Sequence, residues 1–247
     1  MTTFRFLGTG GYHPNDRRET TGLLFPELGL LFDCGTCAYR LQEYVETDEL
    51  TIILTHAHWD HIIGLTYLLV PMFKQEWKKV RLIAHQPTLE AVKSLLFAEP
   101  TFPVWPGFEM QTLHPNEELV FGTYSVKTMP LVSHPGESTG LRLNTPDGSL
   151  AFITDTWCDG SYSEFIQGAD LLIHECHFDD DNAELAKQTG HSHTTPVAKL
   201  AQECGIERLI LTHIDPQNCS DEPVNLSQAQ QFVPLTSIAE DLMVGQF

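Results

Sequence analysis

Thr55-His56-Ala57-His58-Trp59-Asp60-His61 places four side chains of metal-binding type within six positions. The run before it, Leu50-Thr51-Ile52-Ile53-Leu54, is apolar and β-branched and has the length of a buried strand. After it, Asp60-His61-Ile62-Ile63-Gly64-Leu65-Thr66-Tyr67-Leu68-Leu69 carries apolar residues at helical spacing. The cluster therefore falls in a strand-to-helix turn, where a rigid scaffold aims side chains into the crevice at the carboxyl end of a sheet. Imidazole and carboxylate are borderline-to-hard ligands suited to zinc or another divalent first-row metal. His56 and His58 on one side of the turn, with Asp60 and His61 on the other, are enough to begin two sites. A histidine-rich surface turn accounts for one or two of these residues, not for four.

If a sheet carries the site, other strands should end in ligands too. Residues 124–133 lead to His134, residues 150–154 to Asp155, and residues 208–212 to His213, after which Ile214-Asp215-Pro216 stops the strand. Leu171-Leu172-Ile173 leads to His174-Glu175. A single histidine after a strand is ordinarily structural, so these ends gain weight only together.

Two further segments give the pattern a family. Phe4-Arg5-Phe6-Leu7-Gly8-Thr9-Gly10-Gly11-Tyr12-His13-Pro14 with Arg17 and Arg18, and Leu31-Phe32-Asp33-Cys34-Gly35-Thr36 with Arg40, resemble the opening elements of ribonuclease Z-type members of the metallo-β-lactamase superfamily. The resemblance runs along most of the chain. It implies an α/β (α+β) fold, a four-layer αββα sandwich of two mixed sheets between helices. It also implies seven ligands for two divalent ions per chain: His56, His58 and His134 on the first, Asp60, His61 and His213 on the second, and Asp155 bridging. The ligand types suit zinc and leave manganese and iron(II) open. Asp33 would support a ligand rather than bind, and a hydroxide between the ions would be the nucleophile, with Asp60 helping to orient it.

The same resemblance points to a proton donor. His191-Ser192-His193-Thr194-Thr195-Pro196 is similar to the family's His-Ser-Thr loop, whose histidine protonates the leaving oxygen. Aligning Ala198 and Ala201 selects His191, but the insertion-like His193 departs from the pattern and leaves the choice open. His174-Glu175-Cys176-His177-Phe178 resembles the companion His-Glu-Ala-Thr loop, which makes Glu175 the carboxylate that orients the acid.

Composition bounds the rest. A chain of 247 residues, 42 % apolar, without a linker or low-complexity tract, suits a single domain over 1–247 built of two halves, with a seam near 112–122. No apolar stretch approaches the roughly 20 residues of a membrane span, and the start at Thr3-Phe4-Arg5-Phe6-Leu7 reads as a strand, so a cytoplasmic protein is expected. Six scattered cysteines read as reduced interior thiols, Cys34-Gly35-Thr36-Cys37 included. Lys74, Lys78, Lys79 and Arg81 read as a solvated helix end, and His13, His85, His114 and His177 as surface or ordinary structural residues. Thr194 or Thr195 is expected to cap a helix starting near Pro196. The segment 97–108, with Pro100, Phe102, Pro103, Trp105 and Pro106, offers an aromatic wall for substrate or a subunit interface, so a homodimer is possible.

Fourteen basic against thirty-three acidic side chains give a net charge of −19, which would repel a phosphate polymer. Transfer-RNA-processing relatives insert a long arm between the third metal histidine and the bridging aspartate, whereas only the twenty residues 135–154 separate His134 from Asp155 here. The expected activity is therefore hydrolysis of a small or cyclic phosphodiester, with long nucleic acid disfavoured. Hydrolysis of a lactone, thioester or lactam is the second reading, and a non-catalytic metal-binding scaffold the third. Diiron oxygen or nitric oxide chemistry fits less well, because those relatives carry glutamate where this chain has His58.

Overall fold

Residues 1–136 and 138–247 are described by a computed structural model. Six strands precede residue 115: β1 (Thr3–Gly8), β2 (Gly22–Phe25), β3 (Leu30–Phe32), β4 (Glu49–Ile53), β5 (Lys79–His85) and β6 (Glu109–Leu113). Seven follow: β7 (Glu118–Phe121), β8 (Tyr124–Leu131), β9 (Ser138–Thr145), β10 (Gly148–Ile153), β11 (Leu171–Glu175), β12 (Arg208–Thr212) and β13 (Leu235–Ile238). A last strand, β14 (Val244–Gln246), returns to the first group. The chain divides into two compact units, one of residues 3–114 and 240–246, the other of residues 115–239 with the terminal residues 1–2 and 247. Each has its own mixed seven-stranded sheet and its own helices.

In the unit that begins the chain, the strand order is β14-β1-β2-β3-β4-β5-β6. The β3, β4, β5 and β6 strands run parallel, so their carboxyl ends share one edge. Alternate residues of these strands pack on α1 (Leu41–Tyr44), α2 (Trp59–Ile62), α3 (Leu69–Phe73), α4 (Gln86–Ala91) and their flanks. Leu31, Ile52, Leu82 and Ala84 form that face with Leu41, Leu65, Leu89 and Val92. Phe32, Ile53 and Ile83, between them, are fully buried as well. Burial on both faces is what a parallel sheet requires, and it explains the unbroken apolar runs. Phe97, Phe102, Trp105 and Phe108 close over the same core with ring centroids 5.2–6.0 Å apart. The aromatic content of 97–108 is thus used in packing inside the unit.

One expectation fails here. Lys79 and Arg81 do not end a helix; they lie in β5, where Lys79 pairs with Glu109 and Arg81 donates to Thr51 Oγ1 at 3.3 Å. Lys78 pairs with Asp48, and only Lys74 follows a helix. Strand residues with outward cations look like a charged helix face when spacing is irregular.

The other unit has the order β13-β12-β11-β10-β9-β8-β7, antiparallel from β7 to β10 and parallel from β10 to β13. Ala151, Ile153, Leu172, Leu209 and Leu211 pack with residues of its helices α5 (Ser163–Ile166), α6 (Ala183–Thr189), α7 (Thr194–Glu203) and α8 (Leu226–Phe232). The interval between His134 and Asp155 is filled by the β9–β10 hairpin, paired from Thr145↔Gly148 to Leu141↔Phe152. The α7 helix presents Val197, Ala198, Leu200 and Ala201 to this core. It starts at Thr194 with His193 at the cap position, however, and neither Thr194 nor Thr195 caps it through its side chain. Among the described residues, no helix is long and apolar enough to cross a membrane.

Leu82 is fully buried at the centre of the first sheet, whereas Phe73 is 88 % exposed. Leu82→Ala should cost about 3 kcal/mol in urea unfolding, while Phe73→Ala should stay within about 0.5 kcal/mol of wild type. Comparable losses for the two would contradict this assignment of the core.

Candidate metal centre

The first unit gathers its ligand-type residues where β3 and β4 end side by side. The parallel register Phe32↔Ile53 puts Asp33 next to Leu54 and Thr55, and the Asp33 N–H donates to the Ile53 carbonyl at 3.0 Å. Asp33 sits at φ 59°, in the left-handed region that costs a non-glycine residue energy, though Asp tolerates it better than most. That turn drives its carboxylate inward. Oδ1 accepts from the Thr55 N–H at 2.7 Å, and Oδ2 from His61 Nδ1 at 2.8 Å. The Thr55 hydroxyl donates to Asp33 at 2.9 Å and therefore accepts from His56 Nδ1 at 3.0 Å.

A carboxylate oxygen and an already donating hydroxyl can only accept, so both imidazoles carry their hydrogen on Nδ1. Nε2 is then the nitrogen able to take a cation. The His56 ring lies 4.5 Å from that of His58 and 4.2 Å from that of His61. His61 Nε2 is 3.3 Å from Asp60 Oδ2, and that oxygen accepts from the Tyr12 backbone N–H at 2.8 Å. Close backbone approach holds the turn in place. A Cβ on Gly64 would meet the Gly35 carbonyl oxygen at 2.0 Å, and one on Gly35 would meet the Asp60 carbonyl oxygen at 2.4 Å.

The second unit repeats the logic with different residues. Asp155 and His213 follow β10 and β12 at φ 44° and 57°, and His134 follows β8. His134 Nδ1 donates to the Gly190 carbonyl at 3.0 Å, which again leaves Nε2 for a cation; Nε2 is 3.8 Å from Asp155 Oδ2. On the other side of the same carboxylate, His213 Nε2 is 3.2 Å from Oδ1. Imidazole nitrogens on both sides of one buried carboxylate are the arrangement a bridging anion between two cations needs. His134, Asp155 and His213 are thus brought together within this unit, as are His56, His58, Asp60 and His61 within the other.

Glu175, the last residue of β11, is fully buried and fully occupied. Its Oε1 accepts from the N–H groups of Thr156 and Ser192 at 2.9 and 3.2 Å and from His191 Nδ1 at 3.1 Å. Oε2 accepts from the His177 N–H at 3.1 Å. Burial pushes this carboxyl up, but the charge and hydrogen bond of His191, with His213 behind it, hold it below the ordinary value. Glu175 therefore pins the segments that carry Asp155, His177 and His191, and it fixes the His191 ring.

The two candidate acids separate clearly. His193 Nδ1 is bonded to Asp180 Oδ1 at 2.7 Å, and Asp180 also accepts from the N–H and hydroxyl of Thr195 at 2.8 and 2.6 Å. His193 thus belongs to the start of α7. His191 instead lies 4.8 Å from the His134 ring and 5.4 Å from the His213 ring.

His177 was missed as a residue near the site. It is 7 % exposed, stacks on His191 at 4.7 Å and donates from Nδ1 to the His213 carbonyl at 3.0 Å. Burial, then His213 and His191, lower its imidazole to about 4. Its position two residues beyond the Glu175 strand end was the available signal. His13 and His114 are exposed and His85 partly so. The thiols of Cys34, Cys37 and Cys176 are buried and pushed up by burial, which removes thiolate chemistry from them; Cys219, by contrast, is exposed.

Asp180 supplies a test of the α7 clamp. Burial raises its carboxyl, and the Thr195 and His193 hydrogen bonds more than reverse this, so the folded value is lowered. An unfolded Asp titrates near 3.9. The stabilisation is therefore full above that pH and is lost as pH falls through the lower folded value. Asp180→Asn should cost about 0.5–1 kcal/mol at pH 7 after solvent screening, and the difference should shrink in urea unfolding as pH falls from about 5 to 3. A difference that grows towards pH 3 would contradict the assignment.

Comparison with known proteins bears on the fold and the family. Ribonuclease Z of Brevibacillus brevis is 27 % identical, over 96 % of this chain and 94 % of its own. The crystal structure of the metallo-beta-lactamase fold protein YhfI from Bacillus subtilis is 24 % identical and superposes with a TM-score of 0.84, covering 99 % of this chain and 98 % of that one. A new diphosphatase from the PhnP family is 21 % identical with a TM-score of 0.77, over 100 % and 98 % of the two chains. These two structural likenesses show the fold, that of the metallo-β-lactamases, and with it the expected α/β class. The profile of the Beta-lactamase superfamily domain matches residues 30–214, three quarters of the chain, and the protein belongs to that superfamily.

Proposed function

We propose that this chain, a metal-dependent hydrolase by its family, is a phosphodiesterase acting on a small or cyclic phosphodiester with two divalent ions. His56, His58 and His134 would hold one ion, Asp60, His61 and His213 the other, and Asp155 would be shared. The donor set fits: His56, His61 and His134 each have Nδ1 engaged by an acceptor, which fixes the ligating tautomer. Ions bound there would supply the charge that offsets the developing phosphoryl anion and would acidify water. Zinc is the leading choice, with manganese and iron(II) open.

The observation that carries the reading is the His191–Glu175 pair, which holds an imidazole suited to donate a proton beside His134 and His213. Breaking a P–O bond leaves an alkoxide, a poor leaving group unless protonated as it departs. Glu175 holds His191 with hydrogen on Nδ1 and stabilises the protonated ring, so Nε2 can deliver its proton to that oxygen. Asp60, anchored by the Tyr12 N–H and facing His61, would accept a proton from the attacking water. The ribonuclease Z relatives and the diphosphatase-like fold favour phosphorus over carbon as the electrophile.

A small substrate is supported by the charge of −19 and by the hairpin that fills the interval from His134 to Asp155. The relatives named ribonuclease Z give no support to the exclusion of RNA, so RNA belongs in the test. A cytoplasmic setting is in keeping with six free thiols.

The test is a substrate panel on purified protein of known metal content: bis(p-nitrophenyl) phosphate, cyclic nucleotides, a transfer-RNA precursor, a lactone and a glutathione thioester. Turnover of small phosphodiesters is expected. Asp155→Ala should abolish it together with metal retention, and His191→Ala should lower kcat by about 10²–10⁴ with metal retained. Turnover of the lactone or thioester alone would assign acyl chemistry. Bound metal without any hydrolysis would revive a scaffold role.

A further inference from the structure

His177 has no part in the reaction just described, yet it lies in a group of three imidazoles that the unit of residues 115–239 builds by itself. Ligand nitrogens of His177, His191 and His213 lie within 4.8 Å of one another. The ring centroids are 4.7 Å apart for His177–His191, 5.3 Å for His177–His213 and 5.4 Å for His191–His213. Three imidazoles on one tetrahedral ion, with metal–nitrogen bonds near 2.0–2.1 Å and about 1.1 Å more to each ring centre, have centroids about 5 Å apart. The trio already stands at that spacing.

The hydrogen bonding agrees. A carbonyl oxygen only accepts, so His177 holds its hydrogen on Nδ1 towards His213, and Glu175 holds that of His191 likewise. Nε2 of each ring is therefore the ligating nitrogen. The Asp215 carboxylate stands 4.0 Å from His177 Nε2, beyond hydrogen-bonding distance, while its Oδ1 accepts from the Gln217 N–H and its own N–H donates to the His177 carbonyl. Three imidazoles make a donor set for zinc, cobalt, nickel or copper rather than for magnesium or calcium, and Asp215 stands near His177 of the three.

We propose that His177, His191 and His213, with Asp215 alongside, form a further divalent-metal site, and that filling it switches the hydrolase off. Inhibition follows from shared residues: an ion on this trio takes the nitrogen with which His191 donates its proton and competes for His213. The metal site rests on the geometry alone, whereas the inhibitory role rests on the phosphodiesterase reading. Because the tighter ligands would fill first, this site belongs to metal in excess.

The experiment compares wild type with His177→Gln, which removes the imidazole from the trio. Both are dialysed against Zn²⁺ from submicromolar to millimolar, with bound metal counted, and both are assayed on bis(p-nitrophenyl) phosphate across the same range. Co²⁺ absorption in the visible reports each new set of nitrogen ligands. Wild type should take up one further, weaker ion and lose activity with the same midpoint. His177→Gln should keep the tightly held metal and low-zinc turnover, lose the extra ion and its Co²⁺ bands, and shift the inhibition midpoint upward at least tenfold.

His177→Phe keeps the ring stack without a ligand nitrogen and should behave the same way, which covers a failure of the glutamine variant to fold. An unchanged extra ion and an unchanged midpoint in the variants would overturn the proposal, as would a wild type that binds no further ion at millimolar zinc. If no substrate is turned over, the metal count still decides the site, and the failure falls on the phosphodiesterase reading alone.

Discussion

An imidazole serves a cation with one nitrogen only when something holds the hydrogen on the other. This chain supplies that partner from the backbone, a hydroxyl or a buried carboxylate at one strand end after another: Asp33 for His61, Thr55 for His56, the Gly190 carbonyl for His134 and Glu175 for His191. Each such bond settles tautomer and ring orientation before any ion arrives, so binding need not order the ligands at further entropic cost. Remove these partners and the histidines remain in place as side chains but lose their common purpose.

Backbone strain is distributed in the same places. Of seven non-glycine residues at positive φ among the described residues, three are Asp33, Asp155 and His213, each just past the end of a parallel strand. A strand that simply continued would point these side chains to one face of the sheet or the other. The left-handed turn re-aims them, at a cost of order 1–3 kcal/mol each, and the buried sheets on which they stand provide the stability that tolerates it. Glu175 needs no such turn, because it ends β11 in extended conformation and receives four donors from three neighbouring segments.

Much of this was legible in the residues. Thr55-His56-Ala57-His58-Trp59-Asp60-His61 announced a strand-to-helix turn because the apolar period changes across it, and β4 and α2 meet there. The strands before Asp155 and His213 were readable from apolar runs that both buried faces of a parallel sheet demand. What stayed hidden depends on contacts between distant segments. His177 looked ordinary because its importance comes from stacking on His191, fourteen residues on. That His193 is bonded to Asp180 while His191 meets Glu175 is likewise recorded by no local pattern. Lys79 and Arg81 looked helical because their charges obscured the alternation of β5. In 97–108 the aromatic residues gave no sign of whether they faced outward or inward, since that depends on the core beneath them.

The proposed ligands would together hold one pair of ions. Anomalous diffraction at the zinc absorption edge, on crystals of protein loaded with limiting zinc, tests it most directly. The account predicts two peaks per chain about 3.5–4 Å apart, one ligated by His56, His58 and His134, the other by Asp60, His61 and His213, with Asp155 touching both. A single peak, or zinc held by the ligands of one unit without those of the other, would contradict it.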